Sequence, residues 1–345
     1  MGRGDCWETL GGRPAGDGFV VPEVPEHADV SEMFSIMAAT RKLTLPLPGA
    51  GNTSQRFAAL AEISAVDLSL GRLVEGHADA LAILAEAGIS PPPEAVLGVW
   101  AARRADMDVT ATATVGGWRL QGRKPWASGA RVLTHALLTA ATDHGHLLFL
   151  VPVDGVGVQP ILGTWPAVGM ARSDSLDVAV DLTVPDHCRL GPPGWYVDRP
   201  GFWFGSVGVA ACWLGGALGL VRALRSDLAQ RPEPDGHQWA HLGAAGARCA
   251  SMARDIDWAA DLIDADPADA DRAMRPTAIE VRDLVEDGCL DVLTQVGRAG
   301  GAGPLCLDPA QARRYADLPV YVRQHHAERD REALGRLLMA RSETR

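Results

Sequence analysis

The chain has 345 residues, 47% of them hydrophobic and 22% charged, enough for a large core shared by two or three folding units of roughly 150 residues each. A formal charge of −11 and a pI near 5.4 weigh against a nucleic-acid partner, because holding phosphates needs a basic face. Six scattered cysteines, Cys6, Cys188, Cys212, Cys249, Cys289 and Cys306, without a C-x-x-C pair, indicate free thiols in a reducing cytoplasm; no apolar run reaches the ~18–20 residues of a membrane span, and the start "MGRGDCWETLGGRP" lacks the apolar core of a signal peptide.

Along the chain the hydrophobic period changes twice. Over 54–88, "SQRFAALAEISAVDLSLGRLVEGHADALAILAEAG" spaces apolar residues three and four apart, which predicts helices burying one stripe in an N-terminal unit covering 1–105. Between about 108 and 185 the pattern shortens to "VTATATV", "WRLQG", "HALLTAAT", "HLLFLVPV", "VGVQPIL" and "LDVAVDLTV". These runs are rich in Val, Thr and Leu and divided by Gly, Pro or Asp, and they predict a small β-unit over 106–198. After "GPPGWYVDRPG" long Ala/Leu/Arg-rich segments return at 207–230, 240–264 and 276–297, with a last one ending near Met339, so 199–345 reads as a helical bundle. The order α, β, α does not build a doubly wound parallel sheet, and "GGAGP" at Gly300 follows a helix and ends in proline, which argues against a Rossmann site. "GGALG" at Gly215 sits inside an apolar helical run and predicts close helix packing.

Metal binding is not expected. His237 and His241 are four apart but have no H-E-x-x-H glutamate, and "DADPADADR" at Asp264 lacks the glycine and terminal glutamate of an EF-hand loop and reads as a solvated interhelical loop. Asp143, His144 and His146 read as a polar turn between two strands.

Three segments of the β-unit carry a resemblance. "GWRLQGRKPWASGA" resembles a G-K-x-W-I-[TS] segment, "WPAVGMARSDSLDVAVDLTVP" a W-x-x-x-G-M-R-x-[ST]-x-S strand pair, and "GPPGWY" a G-x-G turn, in the order found in the acyl-CoA dehydrogenase family. The similarity covers roughly 45–338. It implies an α+β fold with a helical N-terminal domain, a central small β-barrel domain and a C-terminal four-helix bundle. It further implies bound FAD, a homodimer or homotetramer, and an acyl thioester or related substrate. An electron-transfer or reductase partner is possible under it. The tryptophan of this segment lies against the flavin ring in the family and the hydroxyl two places later hydrogen-bonds it, so the resemblance selects Trp126 and Ser128; read from the residues alone, the two equally finish a β-corner. Arg231 matches the family's Arg-x-x-Phe-Gly arginine for the pyrophosphate, with the Phe-Gly missing. Gln295, Gly300 and Gly301 in "QVGRAGGAG" resemble a Gln-x-x-Gly-Gly-x-Gly element that receives the adenosine half from a neighbouring subunit, with two extra residues inserted; helix termination explains these glycines equally well. The family's T-E-P-x-x-G-S-D segment is replaced by "VWAARRADMD".

α,β-Dehydrogenation needs a carboxylate base. Counting through "RRYADLPVYVRQHHAERD", with Asp317 at the family's R-D position, puts His325 where that glutamate lies, next to His326; the other location used in the family falls at about Val209, where there is no carboxylate. Three readings follow. One is a dehydrogenase whose base is His325 or His326, oriented by Glu328. The second is a two-component flavin monooxygenase of the same fold, which carries a histidine in this region and needs a reductase. The third is a non-catalytic binding or assembly module, with both histidines ordinary members of a charged helix.

Overall fold

The computed structural model describes residues 12–15, 21, 23–25, 28–40, 43–153 and 155–342; Cys6 and most of the opening stretch, 1–11, lie outside the described residues. The N-terminal apolar run is two helices, α2 (Thr53–Val66) and α3 (Leu68–Glu86), because the backbone of Asp67 is extended and its carboxylate accepts the Leu70 N–H at 2.9 Å, capping the second. A shorter helix, α1 (Val30–Ala39), precedes them and is capped by Asp29. Asn52 gives α2 no side-chain cap. Asp264 supplies it from the far end of the chain, accepting the Thr53 N–H at 3.0 Å and the Thr53 hydroxyl at 2.6 Å. The acidic stretch around 264 is therefore a tertiary helix cap as well as a loop, which its charge pattern did not reveal.

Eight strands follow among the described residues: β1 (Leu97–Trp100), β2 (Val109–Thr114), β3 (Gly117–Ala127), β4 (His135–Thr142), β5 (Gly145–Pro152), β6 (Val158–Ile161), β7 (Leu176–Pro185) and β8 (Arg189–Leu190). They form one mixed sheet in the order β6-β7-β3-β2-β4-β5-β8, with β1 added in parallel beside β4. The alternation in β2 puts Val109 and Ala111 inside and Thr110 and Thr112 in solvent, as a strand covered on one face requires. Asp143 and His144 form the β4–β5 turn as expected, whereas His146 lies within β5 and its Nε2 sits 2.9 Å from Asp108 Oδ2. Lys124 is wholly buried; its ammonium donates to the Thr139 carbonyl at 2.8 Å and to Asp108 at 3.2 Å, which ties β3 to β4 beneath the corner that carries Trp126.

The C-terminal part comprises α4 (Trp195–Asp198), α5 (Pro200–Gln230), α6 (Gly236–Ala265), α7 (Met274–Gly300), α8 (Gly303–Leu307), α9 (Pro309–Tyr321) and α10 (Glu328–Ser342). Helix α5 is its centre. A Cβ at Gly215 would stand 2.3 Å from the Ala61 carbonyl oxygen and one at Gly219 2.6 Å from that of Ala65, so only glycine lets α5 lie this close to α2. By length and composition α5 is also apolar enough to cross a membrane, contrary to the expectation from the sequence; its interspersed glycines and alanines hide the run, and 89% of its apolar window is buried inside the molecule.

His77 on α3 joins the N-terminal helices to the sheet. Its ring is buried edge-on to Phe34, and Nδ1 accepts the Leu97 N–H at 3.1 Å. Burial pushes its pKa down to about 4. A depressed histidine gives stability that is complete above the unfolded value near 6.5 and is lost as the pH falls from there toward 4, on the order of 3 kcal/mol in all. His77→Gln should flatten that part of the profile relative to the wild type, read as urea midpoints at pH 4 to 7. The paired comparison separates His77 from Asp257 and Asp317, whose carboxyls burial pushes up to about 6 and which gain stability over the same fall in pH.

Candidate functional site

The ladder between β3 and β7 shifts register between Lys124 and Ala127, and in that irregularity Trp126 adopts φ 55°. A positive φ is costly for a large aromatic residue, so the surroundings must enforce it. Asp177 does: its Oδ1 accepts the Trp126 N–H at 3.2 Å while its Oδ2 holds Arg123 at 2.7 Å. The indole is thereby turned outward and stays 45% exposed, an aromatic face with no covering. Two residues on, the Ser128 hydroxyl lies 2.8 Å from that of Ser175, which lies 2.8 Å from that of Ser173, and Ser173 donates to the Met170 carbonyl at 2.8 Å. The carbonyl can only accept, so every proton in the row points the same way: Ser173 to Met170, Ser175 to Ser173, Ser128 to Ser175. Ser128 therefore offers a ligand lone pairs and no proton, and its backbone N–H is already given to the Trp126 carbonyl at 3.1 Å.

Ser128 also borders a narrow crevice with Arg72, Gly76 and Val99, and two of these, Arg72 and Val99, line a much larger cavity of about 340 Å³. This cavity opens between α3, the end of β1, the α4–α5 corner, α7 and the segment before α10. Tyr196, Phe202 and Trp203 form one wall, packed edge to face with ring centroids 5.5 and 5.1 Å apart. Val99, Ala101, Ala102 and Val209 add apolar surface, and several charged groups stand among them. Arg72 pairs with Glu75, whose carboxyl burial pushes upward; Arg199 holds Glu86 at 2.8 Å; Arg282 lies over the Trp213 ring at 4.6 Å and donates to the Ser206 and Gln324 carbonyls. Burial lowers the Arg282 pKa to about 10. Val209, at the position counted for the second glutamate location, faces the cavity as a bare apolar side chain.

The two histidines part company. His326 lines the cavity, with its N–H on Asp330 at 3.1 Å and its ring largely exposed. His325 is buried and does not line it: Nε2 sits 3.0 Å from Asp283 Oδ1, and Nδ1 lies 3.1 Å from Asp330 at an angle that makes no hydrogen bond. Its orienting carboxylate is thus Asp283, with Asp330 close by on the other side of the ring, where the sequence pointed to Glu328. Asp283, Glu286 and His325 bring donor atoms within 4.8 Å of one another, a spacing that suits a metal; Arg331 on Asp283 and Arg323 on Glu286 already supply the positive charge.

Arg231, Gln295, Gly300 and Gly301 lie elsewhere. Arg231 caps the C-terminus of α5, about 30 Å along that helix from Val209 at 1.5 Å per residue, and is held by Asp227 at 2.6 Å. Gln295 is taken up by His241 at 2.8 Å and by Asp291 at 3.0 Å. Gly300 ends α7, and Gly301, with φ 66°, is its C-cap. Together they border a crevice of about 20 Å³, too small for any cofactor. Within one chain these four residues do not reach Trp126 or the large cavity.

No protein-family profile matches the chain, and no curated protein sequence matches it. Solved structures do. Dibenzothiophene monooxygenase TdsC from Paenibacillus sp. A11-2 superposes with a TM-score of 0.73 at 18% identity, over 91% of this chain and 96% of that one. KijD3, solved with FMN and dTDP-3-amino-2,3,6-trideoxy-4-keto-3-methyl-D-glucose, gives 0.71 at 19% over 88% and 91%, and butyryl-CoA dehydrogenase from Megasphaera elsdenii gives 0.74 at 15% over 90% and 89%. The chain has the acyl-CoA dehydrogenase fold.

An exposed indole held in a costly conformation beside an oriented hydroxyl suits a large flat ligand with a polar edge. Trp126→Ala should lower flavin occupancy after loading with FMN or FAD, and Ser128→Ala should shift the bound flavin's visible absorbance bands. Unchanged flavin content and spectrum in both variants would remove these residues from the site.

Proposed function

We propose that the chain is a flavin-dependent oxidoreductase in which Trp126 and Ser128 receive the flavin ring and the adjoining cavity receives the substrate. Among the enzyme readings, a monooxygenase that takes flavin already reduced by a separate reductase has the strongest support. The observation that carries it is the direction of the serine row. Ser128 presents only an acceptor, which complements a ring N–H; reduced flavin has that N–H at its central ring, and oxidised flavin has a bare acceptor nitrogen there. When bound, the flavin supplies the electrons and the chain supplies placement and proton control. His326 is the imidazole open to a reacting molecule, and Asp330 steadies its backbone. His325, with Asp283 and Arg331, fixes the segment from behind.

FMN, the flavin in the TdsC and KijD3 structures, needs no adenosine site, and in this chain Asp227 holds Arg231 while His241 and Asp291 take up Gln295. FAD, expected from the resemblance, would draw on these residues from a second copy of the chain. A homodimer is supported independently by α6, which exposes Trp239 and Trp258 beside small residues such as Gly243 and Ala247. Acyl thioester dehydrogenation is the second reading: Glu75 and Asp79 put carboxylates on the cavity wall, although the chain has none at Val209 or His325. The charged groups set into the cavity wall, among them Asp79, Arg199 and Arg282, favour a substrate that carries a polar or charged group over a long bare acyl chain.

Anaerobic titration checks the reading. Wild-type protein should bind reduced FMN about tenfold more tightly than oxidised FMN, the order of one hydrogen bond gained against one acceptor clash. Ser175→Ala, which frees the Ser128 proton to turn toward the ligand, should erase most of that preference. Equal or tighter binding of oxidised FMN by the wild type would contradict the assignment.

A further inference from the structure

Asp79, on α3, is the one carboxylate of the cavity wall that has no counterpart. Its neighbours' charges are already satisfied: Glu75 holds Arg72, Glu86 holds Arg199, and Asp330 accepts from His326. Arg56, which lies within electrostatic reach, donates to the Pro46 carbonyl at 3.1 Å, and Arg282 donates to two other carbonyls. Asp79 itself makes no hydrogen bond or ion pair among the described residues, although it is partly buried. It is seated deliberately close to α5: a Cβ at Gly205 would stand 2.5 Å from Asp79 Oδ1, so glycine at 205 makes the space for the carboxylate.

We infer that the cavity takes a substrate bearing a protonated amine next to a compact ring, with the ammonium on Asp79 and the ring against Tyr196, Phe202 and Trp203. Arg199 and Arg275 already lie over Tyr196 and Trp203, so the aromatic wall provides shape and apolar contact while Asp79 provides the charge. A carboxylate withdrawn from bulk water and given no donor by its own chain is poorly solvated, and a cationic N–H donor relieves that deficit more than a neutral hydroxyl does. A volume of about 340 Å³ admits one small ring system with a short arm. The inference rests on the reading that this cavity is the substrate site.

Phenethylamine and its neutral counterpart 2-phenylethanol are suitable probes, titrated by calorimetry into the full chain with and without FMN. Phenethylamine should bind about tenfold more tightly, the scale of one charge-assisted hydrogen bond. Asp79→Asn should bring the two probes level without changing the affinity for the alcohol, and Asp79→Glu should keep part of the preference. Gly205→Ala, which pushes the carboxylate aside, should weaken the amine selectively. Equal binding of the two probes by the wild type, binding of neither, or an amine preference that survives Asp79→Asn would each overturn the inference. Loss of FMN binding with the amine preference intact would instead count against the flavin reading alone.

Discussion

The close approach of α5 to the N-terminal helices sets the terms for everything else in this molecule. Glycine recurs along the contacting face of α5, and each removes a side chain that would otherwise meet something specific: the Ala65 and Ala61 carbonyls at Gly219 and Gly215, the Asp79 carboxylate at Gly205, and Glu86 with Arg199 at Gly201. The first two let backbone lie on backbone and bury an apolar surface. The last two admit charged groups. One continuous face therefore changes from packing seam to site wall as it nears its N-terminus, and the cavity opens where the carboxylates begin. Because α5 is held along most of its length by buried contacts, the groups at its start are fixed by packing rather than by a flexible loop.

Opposite that wall the sheet makes its own contribution through one irregular step. A register shift in β3 leaves Trp126 facing outward and Ser128 at the head of a row of hydroxyls that ends on a carbonyl. The row costs little to maintain because every donor has an acceptor, and it converts an ambiguous hydroxyl into a defined acceptor. Lys124 and Asp177 support the same corner from below and from the side. The large cavity and the aromatic corner thus belong to different layers of the fold, joined through Arg72 and Val99.

Much of this architecture was legible in the sequence. The shift from a three-to-four spacing to short β-branched runs and back marked six of the strands and the main bundle helices; "GGALG" announced the tight crossing of α5. What was missed had weak local signal. Helix α1 is short and sits in a Pro- and Glu-containing stretch, β1 is four residues long, and the cap on α2 comes from a residue 211 positions away. Of the candidate site, Trp126 and Ser128 were picked out by residue type and order, and "RQHHAER" less clearly. There a count along the chain favours His325 and only the turn geometry shows that His326 faces the cavity. Ser173 and Ser175 fall on the [ST]-x-S positions of the quoted strand-pair segment, but nothing in the sequence pointed to the row they form with Ser128, or to Asp79 or Arg282, since a hydroxyl row and an unpaired carboxylate exist only once distant segments are brought together.

The most direct measurement is a crystal structure of the protein grown with FMN under reducing conditions. The account predicts density for the isoalloxazine ring against the indole of Trp126, with a ring nitrogen in hydrogen-bonding reach of Ser128 Oγ and the cavity beside α3 and α5 left open for a second molecule. A flavin seated at the far end of α5, within the same chain and away from Trp126, or a Trp126 that stays uncovered in a flavin-loaded protein, would contradict it.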